Sequence, residues 1–172
     1  MTEIKKVYWD ACVWLSLINE DEAGRVARCN YIIEQAQAGS IQIWTSSISL
    51  AEVFKKKCEG KNISLEESKD IDFEKYIEQE FLTEVQVDHD IGLLARRLLR
   101  KFPELKKPND AIHLATAALN NIDELHTFDA ENLITLTRRI EKMDGSLLVI
   151  CAPPEKPIDP QGGLFDDSGD KA

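Results

Sequence analysis

Short apolar runs alternate along this chain with longer stretches in which apolar residues recur every three or four positions. The short runs are typical of buried strands, and they are IKKVYW, IQIWT, TEVQVD, DELHTFD and SLLVICA. The periodic stretches predict helices, which are the segment after Asp10, residues 22–38, SLAEVFKKKC, residues 64–82, IGLLARRLLRKF and NDAIHLATAAL. Gly39 follows the second of these helices, at the position where a glycine commonly ends a helix.

The alternation of strands and helices predicts an α/β fold of three layers, in which helices cover both faces of a central, mostly parallel sheet. In such folds ligands bind beyond the carboxyl ends of the strands, where the strand order reverses. From Pro153 onward the periodic pattern is lost among prolines, glycines and aspartates. We therefore expect one domain over residues 1–152 and an acidic, disordered tail over residues 153–172.

Composition restricts the class of protein further. A net charge of −10 over 172 residues argues against broad adhesion to nucleic acid, although a nuclease site built from carboxylates contributes negative charge itself. The longest apolar run is interrupted by Asp10 and is too short to cross a membrane. The four cysteines show no paired spacing, so we expect reduced thiols in a cytoplasmic protein, and neither a zinc nor a disulfide framework.

Four acids stand at corresponding places, at the end of a predicted strand or near the start of the helix that follows. They are Asp10 after the first strand, Glu52 after IQIWT, Asp110 at the start of NDAIHLATAAL and Asp129 at the end of LHTFD. Because the carboxyl ends of parallel strands lie at one edge of a sheet, we expect these side chains to converge. Converging carboxylates repel one another unless a divalent cation lies among them, and oxygen ligands favour Mg²⁺ or Mn²⁺. Such a site suits phosphodiester hydrolysis.

Each acid also has a purely structural interpretation. Asp10 suits the N-cap of the helix that follows it, and Asp129 suits a turn. Glu52 stands three residues after Ser49, in the pattern of a capping box, and Asp110 is an ordinary helix start. The ligand interpretation depends on the recurrence of all four acids at matching places.

Four short motifs contain these acids, and they are VYWDACVWL, SSISLAEV, PNDAIHLATAAL and LHTFDAENL. Over residues 4 to about 150, their order and spacing resemble those of PIN-domain ribonucleases of the VapC toxin type. The resemblance implies that Asp10, Asp110 and Asp129 bind Mg²⁺ or Mn²⁺, directly or through water, and that Glu52 completes the site. It also implies an RNA substrate, a homodimer and, for a toxin, silencing by a cognate antitoxin protein.

One departure from the family pattern bears on the surroundings of the metal. The family often has Ser or Thr after its first acid, whereas this chain has Ala11 and Cys12 there. The candidate hydroxyls near the metal are then Ser46, Ser49 and Thr127. His113 lies one turn after Asp110, where a hydrogen bond within the helix–sheet interface is the alternative to a ligand role.

Basic residues cluster after Glu52 and before Asp110, where contacts to RNA phosphates would be needed. The substrate-binding candidates are Lys56, Arg96, Arg97 and Arg100. Lys106 and Lys107 extend the second cluster to the start of the predicted helix. The alternative interpretation of both clusters is an ordinary solvated face.

Two other functions compete with the nuclease. One is a catalytically inactive PIN-like module that binds a protein partner. The other is a haloacid-dehalogenase-like phosphatase, which needs a second acid at the position of Cys12 and is therefore disfavoured. In the tail, Leu164 and Phe165 form an adjacent apolar pair within QGGLF, and such a pair suits docking on another chain.

Overall fold

The computed structural model of the chain describes residues 3–20, 22–58 and 61–158, apart from the side chains of residues 55–58 and 61–63. Leu164 and Phe165 lie outside the described residues, as does most of the predicted tail. The described part contains seven strands and six α-helices. None of its helices is long and apolar enough to cross a membrane.

Five of the strands form one parallel sheet, and the other two form a separate antiparallel pair. In chain order the strands are β1 (Lys5–Trp9), β2 (Ile41–Ser46), β3 (Lys55–Cys58), β4 (Lys61–Ser64), β5 (Leu82–Val85), β6 (Glu124–His126) and β7 (Val149–Cys151). The order across the parallel sheet is β5-β2-β1-β6-β7. The order reverses at β1, because the chain adds β2 and β5 on one side of it and then returns to add β6 and β7 on the other.

Helices cover both faces of the parallel sheet. They are α1 (Ala11–Asn19), α2 (Ala23–Gln37), α3 (Ile48–Glu52), α4 (Glu67–Ile77), α5 (His89–Lys101) and α6 (Pro108–Leu119), with a 3₁₀ helix over Ile134–Leu136. Successive residues of β1 point into different cores: Val7 and Trp9 pack with α1 and α2, while Tyr8 packs with α5 and α6. The three-layer α/β/α architecture predicted from the sequence is confirmed.

Helix α6 lies close against the sheet because its buried face consists mainly of small residues. Ala111, Ala115 and Ala117 are each 0% exposed. Pro108 stands in the first turn of α6, where its missing N–H leaves no hydrogen bond unmade. The close packing brings the first turn of α6, with Asp110, to the carboxyl edge of the sheet.

Two predicted helices are shorter than expected. The helix predicted over SLAEVFKKKC ends at Glu52, and Lys55–Cys58 forms β3, which pairs with β4. Val53 has φ −86° and ψ 64°, so the backbone leaves the helix before the three lysines, which have no apolar periodicity to extend it. Of the predicted helix over residues 64–82, only Glu67–Ile77 is helical.

The described start of the predicted tail lies against α2. Arg28 Nη1 donates to the carbonyl of Pro153 at 3.3 Å, and its Nη2 pairs with Glu155. Lys156 Nζ lies 2.9 Å from Glu34 Oε2. These contacts attach residues 153–156 to the domain, and the domain boundary at residue 153 stays a prediction.

Candidate active site

A cavity of about 560 Å³ opens at the carboxyl edge of the sheet, where the strand order reverses. The four predicted acids all line it, namely Asp10, Glu52, Asp110 and Asp129. Asp10 directly follows β1 and Asp129 follows β6, and these two strands are neighbours in the sheet. Glu52 is the last residue of α3, and Asp110 lies in the first turn of α6. The fold therefore brings together acids that are far apart in the sequence.

Asp10 is both a helix cap and part of the cavity wall. Its Oδ1 accepts hydrogen bonds from the backbone N–H of Val13 at 3.2 Å and from Cys12 Sγ at 2.9 Å. Only 4% of the residue is exposed, and this burial raises the pKa of its carboxyl, against the opposing charge of His113. The cap interpretation is confirmed, and the same side chain still faces the cavity.

Asp110 lies close enough to two other acids for their charges to act on it. The pKa of its carboxyl is raised to about 6, first by burial and then by Asp10 and Asp129. Lys107 and His113 lower this pKa but do not cancel the effect. A cation bound in the cavity would relieve the repulsion among these carboxylates.

Asp129 is held by its own loop. Its Oδ1 accepts a hydrogen bond from the backbone N–H of Asn132 at 2.9 Å, and Asn132 Nδ2 lies 3.1 Å from both carboxylate oxygens. The backbone N–H of Asp129 donates to Thr127 Oγ1 at 3.0 Å. Thr127, one of the predicted hydroxyls, therefore orients the loop that carries Asp129.

A chain of hydrogen bonds holds Glu52 and ends in the protein core. Glu52 Oε1 accepts from Asn109 Nδ2 at 3.0 Å, and Oε2 lies 2.6 Å from His113 Nε2. The other ring nitrogen of His113 lies 2.7 Å from the Tyr8 hydroxyl. The predicted hydrogen-bonding role of His113 is confirmed. The capping box of Ser49 and Glu52 was wrong, because Ser49 lies inside α3.

Cys12 links the ends of β1 and β6. Its thiol donates to Asp10 Oδ1, lies 3.3 Å from Thr127 Oγ1 and accepts the N–H of Phe128 at 3.2 Å. Burial raises the pKa of this thiol well above its ordinary value, and the charge of Asp10 adds to the effect. The thiol therefore stays protonated and donates a hydrogen bond to Asp10, close to the place in the sequence where the family often has a Ser or Thr.

The other two predicted hydroxyls do not reach the cavity wall. Ser49 Oγ lies 2.8 Å from Thr45 Oγ1, in a buried network that also contains Trp14. Ser46 ends β2, and its buried hydroxyl has no hydrogen-bond partner among the described residues. This geometry does not support a contact of Ser46 or Ser49 with a metal in the cavity.

The three predicted substrate-binding arginines also lie away from the cavity wall. Arg96, Arg97 and Arg100 are exposed on α5, and none of them lines the cavity. Lys56 lies in β3, and its side chain is outside the described part of the chain. Lys107, from the same basic cluster as the arginines, does line the cavity and acts on the pKa of Asp110.

Sequence reasoning missed three residues that hold the acids, namely Tyr8, Asn109 and Asn132. Asn109 directly precedes Asp110, and Asn132 follows Asp129 by three residues. An asparagine this close to a candidate ligand could have been predicted from the sequence to hydrogen-bond one of the acids. Tyr8 offered none, because its partner His113 is 105 residues away.

The acids do not form a closed ion site. Within the described residues, no three of the cavity acids bring one oxygen each to within 4.8 Å of one another. Mg²⁺ commonly keeps several waters and binds proteins through one or two carboxylates, so a wide cluster fits this ion. The oxygen-only donor set and the raised pKa of Asp110 fit Mg²⁺ or Mn²⁺ as well.

The fold and the cavity together define a class of protein, which is a parallel α/β/α domain with carboxylates gathered where the strand order reverses. The chain matches the PIN domain family over residues 7–138, most of its length, and it belongs to this family. Among curated proteins, none matches the chain.

Solved structures with a similar fold include VapC-type toxins and their complexes. Mycobacterium tuberculosis VapC20, a sarcin-ricin loop cleaving toxin, has a TM-score of 0.56 at 16% identity, over 73% of this chain and 91% of that one. A chain of Rickettsia felis VapBC2, bound to a promoter DNA fragment, has a TM-score of 0.56 at 17% identity, over 84% and 98%. A chain of DNA-bound VapBC from Salmonella typhimurium has a TM-score of 0.50 at 17% identity, over 86% and 98%. At such low identity the likeness concerns the fold.

Proposed function

We propose that this protein is a metal-dependent endoribonuclease, which hydrolyses RNA phosphodiester bonds in the cavity lined by Asp10, Glu52, Asp110 and Asp129. The observation that carries the proposal is the gathering of these acids in one cavity, where burial and neighbouring charges raise the pKa of Asp110 to about 6. Perturbed carboxyl groups in a cleft are typical of functional sites, because their repulsion destabilises the fold unless a ligand offsets it.

The ion we propose is Mg²⁺ or Mn²⁺, bound by Asp10, Asp110 and Asp129 directly or through water. All three residues offer carboxylate oxygens, which these hard cations prefer. When bound, such an ion lowers the pKa of a water molecule and stabilises charge on the attacking and leaving oxygens of a phosphodiester.

The protein's own residues would then position the ion and the substrate. Asn109 and His113 hold the Glu52 carboxylate toward the cavity, where it can accept hydrogen bonds from water. Lys107 lines the cavity beside Asp110 and would contact a phosphate next to the cut bond. The arginines on the exposed face of α5 would contact RNA that extends beyond the cavity.

Membership of the PIN domain family and the fold similarity to VapC20, a sarcin-ricin loop cleaving toxin, favour RNA as the substrate. The fold similarity to VapBC complexes supports two further parts of the proposal, namely that the protein is the toxin of a toxin–antitoxin pair and that it binds an antitoxin protein. We also propose that it acts in the cytoplasm and forms a homodimer.

The proposal is tested by cleavage of single-stranded and structured RNA by the full chain, with Mg²⁺, with Mn²⁺ and with a chelator. We expect cleavage that requires the ion and that Asp10→Asn abolishes. Asp70→Asn, at an exposed position of α4, is the matched control and should cleave like the wild type.

Two results would count against the proposal. Cleavage by Asp10→Asn at the wild-type rate would place the active site elsewhere. A folded wild type that binds Mn²⁺ but cleaves no RNA would favour the alternative of an inactive PIN-like module that binds a protein partner.

A further inference from the structure

A second group of ligand-type side chains lies on the sheet itself, outside the carboxylate cavity. Glu124 and His126 are two residues apart on β6, and Cys151 of β7 pairs with His126 in the parallel register. Leu125, between the two, packs into the core with α5 and α6, so Glu124 and His126 point to the opposite face of the sheet. One donor atom from each of Glu124, His126 and Cys151 lies within 4.8 Å of those of the other two.

The imidazole of His126 is buried and incompletely hydrogen-bonded. His126 is 0% exposed, and its Nε2 lies 3.1 Å from Glu124 Oε2. Its Nδ1 has no hydrogen-bond partner among the described residues. The two ring nitrogens point in nearly opposite directions, so an ion shared with Glu124 would take the place of the hydrogen bond at Nε2, and the unpaired Nδ1 faces away from it.

Glu124 supplies the carboxylate of this group, and the cationic side chain of Lys5 lies against it. Lys5 Nζ contacts Oε1 at 2.7 Å, while Oε2 faces His126. A carboxylate and a thiolate would together neutralise the two positive charges of a divalent ion.

We propose that Glu124, His126 and Cys151 bind a borderline-soft divalent ion such as Zn²⁺. A donor set of one oxygen, one nitrogen and one sulfur selects Zn²⁺ over Mg²⁺, and three protein ligands leave the fourth tetrahedral position to water. On binding, the Cys151 thiol loses its proton to solvent and its sulfur bonds to the metal. In its donor chemistry this site is distinct from the carboxylate cavity.

The ion would link two short strands, β6 and β7. β7 has three residues and lies at the edge of the sheet, so its pairing with β6 depends on few hydrogen bonds. A metal held by both strands would close the loop over residues 127–148, which carries Asp129. The bound ion would stabilise this end of the sheet without taking part in the proposed RNA hydrolysis.

Co²⁺, a spectroscopic substitute for Zn²⁺, tests the proposal on the full chain. A Co²⁺–thiolate bond gives an intense charge-transfer absorption, which a site made only of carboxylates does not give. We expect one equivalent of Co²⁺ to produce this absorption and excess Zn²⁺ to abolish it. Cys151→Ser should remove it. Cys12→Ser, at the thiol beside the carboxylate cavity, is the matched control and should retain it.

A second measurement needs no variant. Stoichiometric Zn²⁺ should slow the alkylation of Cys151 by iodoacetamide by more than about tenfold, because a metal-bound sulfur is not free to react, whereas Mg²⁺ should have no effect. Mass spectrometry of the Cys151 peptide provides the rate. Three results would overturn the proposal: an absorption that survives Cys151→Ser, an absorption lost in Cys12→Ser, or equal alkylation rates with and without Zn²⁺.

Discussion

Replacement of Asp110 by Asn should make the ion-free protein more stable at neutral pH, although it removes a side chain of the proposed active site. In the folded protein the pKa of Asp110 is raised from the ordinary 3.8 to about 6, chiefly by burial. At pH 7.5 the carboxylate is therefore charged in a place that favours its neutral form. The amide of Asn has nearly the same shape and carries no charge.

The difference between the two pKa values sets the magnitude. A shift from 3.8 to about 6 corresponds to about 3 kcal/mol of unfolding free energy at high pH. Solvent reaches part of this side chain and reduces the effect. Asn also loses a favourable charge in the first turn of α6, worth about 0.3–1 kcal/mol. We therefore expect a net gain of about 1–2 kcal/mol, or about 2–8 °C in melting temperature.

The pH dependence of this gain identifies its cause. Because the folded pKa is the higher of the two, the wild type loses stability as the pH rises from about 4 to about 6. The advantage of Asp110→Asn should be small at pH 4 and complete at pH 7.5. Thermal unfolding at both pH values, in chelator, measures it, with Asp70→Asn as the control.

Saturating Mg²⁺ should then stabilise the wild type more than the variant, because the ion binds the folded protein through the removed carboxylate. The reasoning would be refuted if Asp110→Asn were less stable than the wild type at pH 7.5, or if its gain were equal at the two pH values.

The remaining predictions concern the surroundings of the acids. Lys107→Ala should weaken RNA binding and reduce by about one the slope of log K against log salt concentration, as expected for one lost phosphate contact. Lys106→Ala is the control and should leave both unchanged. Equal slopes for the two variants would remove Lys107 from the substrate site. Tyr8→Phe should lower the free energy of unfolding in urea by about 1–3 kcal/mol, because a buried nitrogen of His113 loses its partner, and an unchanged value would contradict that bond. Cys12→Ser should cleave RNA near the wild-type rate, because the serine hydroxyl can replace the thiol as the hydrogen-bond donor to Asp10. Cys12→Ala has no such donor and should cleave RNA more slowly. Similar cleavage rates for the two variants would show that this hydrogen bond does not matter.

The hydrophobic pattern by itself determined the architecture of this protein. Each apolar run and each periodic stretch must bury its apolar face, and alternating elements can do so together only in a layered, mostly parallel arrangement. Because parallel strands share one direction, the same pattern also determined that Asp10 and Asp129 would lie at one edge of the sheet. Their roles toward a metal stay predictions.

Only the tertiary structure decided which side chains meet. The α5 arginines precede Asp110 closely in the sequence, but they lie on the exposed face of α5 and do not line the cavity. Lys107 lies at the start of α6 and does line it. The partner of His113 in β1 is Tyr8, 105 residues away.

The group formed by Glu124, His126 and Cys151 likewise follows from the register of two strands, and the spacing of the cysteines along the chain did not indicate it. The physical reason is one of precision. Burying an apolar face requires little more than apolar side chains of about the right size, whereas a hydrogen bond or a metal ligand requires donor atoms placed to within a fraction of an ångström.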